Sequence, residues 1–240
     1  MSRIGVLGGM GPSATVDFLD KLVKLTPAAR DQDHLPVIVA SLPHVHDRSS
    51  AILGAGRDPL PQLLAGIEML NQAGVGVIAI PCNSSHHWFD EMSRFSSVPL
   101  LHIAKACVEA VPAADVPRVV ILTTRGALAS GFYQRELLAR GIDFLLPDPD
   151  PDHGQAHVDA CIREIKAGNL EAGGQHLSLA CRDAVLQGAT MLIMGCTEIP
   201  IASRYGNVAG LGLIDSSLEL ARAAVAFALA RGWNRPGWDS

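Results

Sequence analysis

Val77-Ile78-Ala79-Ile80-Pro81-Cys82-Asn83-Ser84-Ser85 is an apolar, strand-like run that ends at a thiol and leads into a plausible helix start. The same arrangement recurs at Met191-Leu192-Ile193-Met194-Gly195-Cys196-Thr197-Glu198. A thiol where a parallel strand hands over to a helix lies at the edge of the sheet where open α/β folds bind ligands. Helix N-terminal amides there favour anions, so a thiolate is stabilised and a carboxylate can be held. One such cysteine suggests a nucleophile. Two in matching positions suggest a proton donor and a proton acceptor facing each other.

Working outward, strand-like runs alternate with helix-like stretches along the whole chain. The runs are Ile4 to Leu7, Val37 to Ala40, Val77 to Ile80, Leu100 to Ile103, Val119 to Leu122, Phe144 to Leu146, Met191 to Met194 and Leu211 to Ile214. Between them apolar residues recur three and four apart, as at Leu63, Leu64, Ile67 and Leu70. This alternation predicts an α/β fold with parallel sheet built from βαβ units. An internal repeat divides it in two. Arg3-Ile4-Gly5-Val6-Leu7 aligns with Arg118-Val119-Val120-Ile121-Leu122, and the match continues through Gly11 with Gly126, Thr15 with Ser130 and Phe18 with Tyr133. Cys82 and Cys196 follow at nearly the same offset. The expectation is two pseudo-symmetric domains, each a parallel sheet of about four strands flanked by helices, presenting both thiols to one cleft. The segment Val111 to Pro117 is the best internal boundary by its Pro and Ala content, and the tail from Gly232 to Gly237 reads as irregular.

The bulk numbers narrow the function. With 240 residues the chain can bury a substantial core, and 48% hydrophobic residues suit buried parallel strands. A net charge of -5 without a basic block gives no reason to expect nucleic acid or an anionic membrane as partner. The start Met1-Ser2-Arg3-Ile4-Gly5 enters a strand directly, and Leu218 to Ala230 is too short to span a bilayer, so a soluble cytoplasmic protein is expected. Five cysteines with no Cys-x-x-Cys pair read as reduced thiols. Cys107, Cys161 and Cys181 fall in helix-like stretches and read as packing residues. Cys82 with His86, and His44 with His46, have ligand-like spacing but no second cluster near them, so no metal is expected. His86 and His87 read as helix-surface residues.

Gly9 to Ala14 matches Gly-x-Gly-x-x-Ala, but Val37 to Ala40 runs into Ser41-Leu42-Pro43 where a ribose-binding acid belongs. The glycines are therefore read as a tight turn on the cleft floor, with Pro12 at a first helical position. On spacing alone, Arg48 is a solvated loop arginine and Lys166 a helix C-terminal lysine compensating the dipole. Asn83, Ser84, Ser85, Thr197 and Glu198 can cap helices, and amides left free at a first turn can receive a carboxylate.

Taken together, Gly8-Gly9-Met10-Gly11-Pro12, Asp31-Gln32-Asp33-His34, Asp47-Arg48, Pro81-Cys82-Asn83, Ser130-Gly131-Phe132-Tyr133-Gln134, Ile165-Lys166-Ala167-Gly168 and Gly195-Cys196-Thr197-Glu198-Ile199-Pro200 make the chain resemble the PLP-independent aspartate/glutamate racemases, in their aspartate racemase branch. The similarity runs nearly end to end. It implies a homodimer of two-domain subunits, no cofactor, and a small acidic amino acid as substrate. It implies that Cys82 and Cys196 remove and supply the α-proton, and that Met10, Arg48, Asn83, Ser84, Ser85, Thr124, Lys166, Thr197 and Glu198 bind the substrate. It further implies that strands near Leu101 and Leu213 exchange between domains, giving one domain of 1–98 plus 207–240 and another of 99–206. Two positions depart from the family pattern. Ser84 replaces a common threonine and keeps the hydroxyl; Thr124-Arg125-Gly126-Ala127 loses a hydroxyl and adds an arginine, which points to altered side-chain acceptance. The neighbouring readings are a broad-specificity amino acid racemase, a small-dicarboxylate isomerase or decarboxylase, and a silent ligand-binding module.

Overall fold

A computed structural model describes residues 2–112 and 118–234. Most of the expected boundary segment, 113–117, and the last part of the tail lie outside the described residues. The first half runs β1 (Ile4–Gly8), α1 (Pro12–Leu25), β2 (Val37–Ser41), α2 (Arg48–Ile52), α3 (Leu60–Gln72), β3 (Val77–Ala79), α4 (Phe89–Phe95) and α5 (Ile103–Glu109). The second runs β4 (Val119–Leu122), α6 (Arg125–Ser130), α7 (Phe132–Ala139), β5 (Phe144–Leu145), α8 (Gly154–Lys166), α9 (Leu170–Leu186), β6 (Met191–Met194), α10 (Ile199–Ala202), β7 (Gly212–Asp215) and α11 (Ser216–Leu229).

Two parallel sheets result, of order β2-β1-β3 and β5-β4-β6-β7. Leu100 extends the first sheet by a single parallel bridge to Ile78. The two orders are thus the same, and β3 and β6, which precede the two thiols, occupy equivalent places. The continuous apolar runs are explained by this topology: β1, β3 and β4 are buried along their full length, whereas β2 and β5 lie at sheet edges and are partly exposed.

The expected exchange of strands does not occur. β7 pairs with β6 in the second sheet, and Leu100 pairs in the first. Helices cross over instead. Leu220, Ala221, Ala224 and Val225 of α11 pack with Ile4, Val6 and Phe18 of the first half. Reciprocally, Ala104, Cys107 and Val108 of α5 pack with Val119, Ile121 and Tyr133 of the second. Small residues on α11 let it lie close to its neighbours. Asp215 fixes its start, accepting from the amides of Ser217 and Leu218 at 2.9 and 3.0 Å. The same carboxylate meets Lys21 Nζ at 2.6 Å, which also meets Asp17 at 2.6 Å, tying α1 to the end of β7 through a buried ion pair.

Candidate functional site

The sheets present their C-terminal edges to a common cavity. From the first half come Met10, Asp47, Arg48, Ser49, Cys82, Asn83 and Ser84; from the second, Thr124, Lys166, Cys196, Thr197 and Glu198. Local chemistry sets each segment. Gly9 has φ of 89°, and a Cβ there would meet the Leu42 backbone N at 2.3 Å, so only glycine makes the turn that delivers Met10 and Gly11. Thr15 braces that turn, its hydroxyl accepting from the Gly9 amide at 2.8 Å and donating to the Gly11 carbonyl at 2.9 Å. Asp47 caps α2 by accepting from the Ser50 amide at 2.7 Å, which places Arg48 at the first helical position.

Both thiols are nearly buried, at 5% exposure for Cys82 and 7% for Cys196. Their surroundings differ. Arg48 donates to the carbonyls of Val45 and His46, each at 3.0 Å, and of Met10 at 3.3 Å, leaving its buried Nε without a partner. Burial works against its charge, but the Cys82 sulfur, Asp47 and Glu198 outweigh that and raise its pKa. Cys196 instead donates its thiol proton to Glu198 Oε2 at 3.0 Å, and Thr197 Oγ1 lies 3.4 Å from the same oxygen. Burial, reinforced by the Glu198 charge and only partly opposed by Lys166, pushes the Cys196 thiol well up. Lys166 is itself raised: burial disfavours its ammonium, while Glu198 and the two cysteines favour it.

Helix amides contribute less than the sequence suggested. Cys82 is followed by a 3-10 turn, Ser84–Trp88, and Cys196 by a four-residue helix, so neither thiol faces the start of a long helix. Side-chain charges supply the field instead. Asn83 lines the cavity, yet its amide is held from behind: its Nδ2 donates to Ser216 Oγ at 3.1 Å, and Tyr133 OH donates to its Oδ1 at 2.6 Å. Ser84 Oγ and Thr124 Oγ1 pair across the halves at 2.9 Å. Ser85 does not line the cavity; it is fully buried behind it.

His86 corrects a second expectation, since it is 2% exposed and not on a helix surface. Its Nδ1 lies 3.0 Å from the Cys82 carbonyl, and its Nε2 accepts from the Ile103 amide at 3.2 Å, which uses its ring nitrogens in backbone bonds and not in a metal pair with Cys82. Burial lowers its pKa to about 4. Arg125 turns away to Asp159, and Ala127 is buried in the core around β4, so neither of these two changed residues faces the cavity, whereas Ser84 does. Cys107, Cys161 and Cys181 lie in α5, α8 and α9, and burial raises all three. Asp47 and Ser49 were not singled out by the sequence as binding residues. The Asp47-x-x-Ser50 cap was the available signal, since it sets the turn that exposes both.

The Asp/Glu/Hydantoin racemase family profile matches residues 7–224, and the chain belongs to this family. It is therefore an isomerase. It is 30% identical over 232 residues to the broad specificity amino-acid racemase RacX of Bacillus subtilis, covering 95% of this chain and 98% of that protein. In structure it resembles the Picrophilus torridus aspartate racemase, with a TM-score of 0.81 and 27% identity over 95% of this chain and 94% of the other. A Francisella tularensis glutamate racemase in complex with D-glutamate shares the fold, with a TM-score of 0.69 and 17% identity over 97% and 82% of the two chains.

Proposed function

We propose that the protein racemises small acidic amino acids, aspartate foremost, by cofactor-independent proton transfer between Cys82 and Cys196 in the cleft between its halves. One observation carries this reading: thiols from equivalent strand ends line one cavity together with Arg48 and Lys166. Inverting an α-carbon requires a proton to leave one face and another to arrive on the opposite face. A single base tends to return the proton where it came from; two groups facing each other remove that constraint.

Charges divide the work. Cys196, kept protonated beside Glu198, is the donor in the resting state, so abstraction falls to Cys82 beside Arg48. Each forward turnover leaves Cys82 holding the abstracted proton and Cys196 as the thiolate, and the reverse reaction starts from that state with the roles exchanged. Arg48 offers its free Nε to a substrate carboxylate, and Lys166 offers a point charge to the negative charge that develops as the α-proton leaves. The cavity, about 20 Å³, has room for about one water, while a pocket of about 240 Å³ beside the glycine loop shares Met10, Arg48, Lys166 and Glu198. An amino acid needs more space than the inner cavity offers, so the halves part to admit it and close to exclude water.

A broader substrate range is the second reading, favoured by the curated specificity of the Bacillus subtilis relative. Homodimer formation and a cytoplasmic location complete the proposal and rest on the family resemblance. Among the described residues no helix is long and apolar enough to cross a membrane. Incubation of the reduced protein in deuterated water with L-aspartate, L-glutamate and neutral amino acids, followed by chiral chromatography with mass detection, tests this reading. Deuterated D-aspartate formed fastest supports it. Faster inversion of neutral amino acids establishes the broad reading, and no exchange with any substrate overturns both.

A further inference from the structure

Away from the cleft, the start of α8 and the last part of α9 bring His153, His157 and Asp183 together. His153 stands at the N-cap position of α8 and His157 four residues later within it, and both rings come close to Asp183. His153 Nδ1 is 3.9 Å and His157 Nε2 3.8 Å from Asp183 Oδ2, and the three ligand atoms all lie within 4.8 Å of one another. The carboxylate is fixed rather than loose: Asp183 is 8% exposed, and its Oδ2 accepts from the Gly154 amide at 3.0 Å. Arg182 reaches its other oxygen at 3.5 Å. His176, also on α9, sets its ring 6.2 Å from that of His157.

We propose that His153, His157 and Asp183 bind one divalent transition-metal ion of the zinc class, joining α8 to α9. Two imidazole nitrogens and one carboxylate oxygen suit zinc, cobalt or nickel, whereas calcium and magnesium prefer oxygen donors throughout. Tetrahedral bonds of about 2.0–2.1 Å set donors about 3.4 Å apart. His157 and Asp183 are close to that spacing, and the half-exposed His153 ring is free to swing in. The site is structural. Lys166 stands at the far end of α8, twelve residues from Gly154, or about 18 Å along the axis. The ion therefore anchors the helix that carries Lys166 without touching the reaction.

The test uses the full chain with Cys82→Ser and Cys196→Ser, which removes the cleft thiols as competing ligands. Zinc is titrated by calorimetry and cobalt by visible absorption, with His153→Gln and His157→Gln added singly. Expected are one ion per chain, a rise in the thermal midpoint with zinc, and at least a tenfold loss of affinity in each histidine variant. His153 lies mostly in solvent, so its variant separates lost ligation from lost folding. Absence of stoichiometric binding, or binding unchanged in both histidine variants, overturns the site.

Discussion

The two halves share a frame and differ in what they place beside the thiol. Sheet order is the same, and the strands before Cys82 and Cys196 are equivalent, yet Arg48 is the charge beside Cys82 and Glu198 the charge beside Cys196. In the proposed mechanism the duplicated architecture would supply the two facing groups, and a few unlike side chains would give them different roles. The aromatic pair related by the repeat makes the same point. Phe18 is pure core, whereas Tyr133 adds a hydroxyl that reaches across to Asn83.

The largest effect is expected from removing either thiol. Cys82→Ser and Cys196→Ser should each lower racemisation by at least about a thousandfold, within the range for positioned acid–base groups, while circular dichroism stays unchanged. Near-normal turnover in either variant would end the two-base account. The flanking charges come next and should separate kinetically. Glu198→Gln should lower kcat about tenfold or more, most in the direction that requires Cys196 to lose its proton, whereas Arg48→Lys should chiefly raise KM in both directions. Equal effects on both parameters would show that the halves are not electrostatically specialised.

A smaller effect sharpens the comparison through packing. Gly11 and Gly126 are equivalent in the repeat, but a Cβ on Gly126 would meet Ser49 Cα at 2.6 Å, against only Glu198 Oε1 at 3.3 Å for Gly11. Backbone cannot yield as a side-chain tip can. Gly126→Ala should therefore cost about 1–3 kcal/mol in denaturant unfolding, and Gly11→Ala clearly less. Similar losses at both would contradict the close approach of α2 and α6.

The last prediction concerns acid. His86 is neutral and buried next to Cys82, and Pro200 stands at the equivalent place in the second half. Its folded pKa is lowered from 6.5 to about 4, so the unfolded chain takes up this proton first. The His86 contribution to stability should be full above about pH 6.5 and fall towards pH 4, by a few kcal/mol at most. Denaturation midpoints at pH 7 and pH 5 measure this, and a flat profile would refute it.

The sequence carried the strands well because central parallel strands are buried on both faces and read as continuous apolar runs. It overstated Leu100 to Ile103, where a single bridge forms before Ile103 begins α5. It did not show that α5 and α11 exchange partners, because an apolar helix face does not say which sheet it covers. Within the site, Cys82, Cys196, Arg48 and Lys166 were legible once their motifs were read together. Ser85 was not: next to Ser84 in a 3-10 turn, it points the opposite way into the core. The bond from Cys196 to Glu198 depends on a turn that two-residue spacing alone does not specify.

Deuterium incorporation by the single-thiol variants tests the central claim most directly. With one thiol left on one face, Cys196→Ser and Cys82→Ser should each wash solvent deuterium into one enantiomer of aspartate without inverting it, and the two variants should choose opposite enantiomers. Exchange into the same enantiomer by both variants would contradict the assignment of the two thiols to opposite faces of the α-carbon.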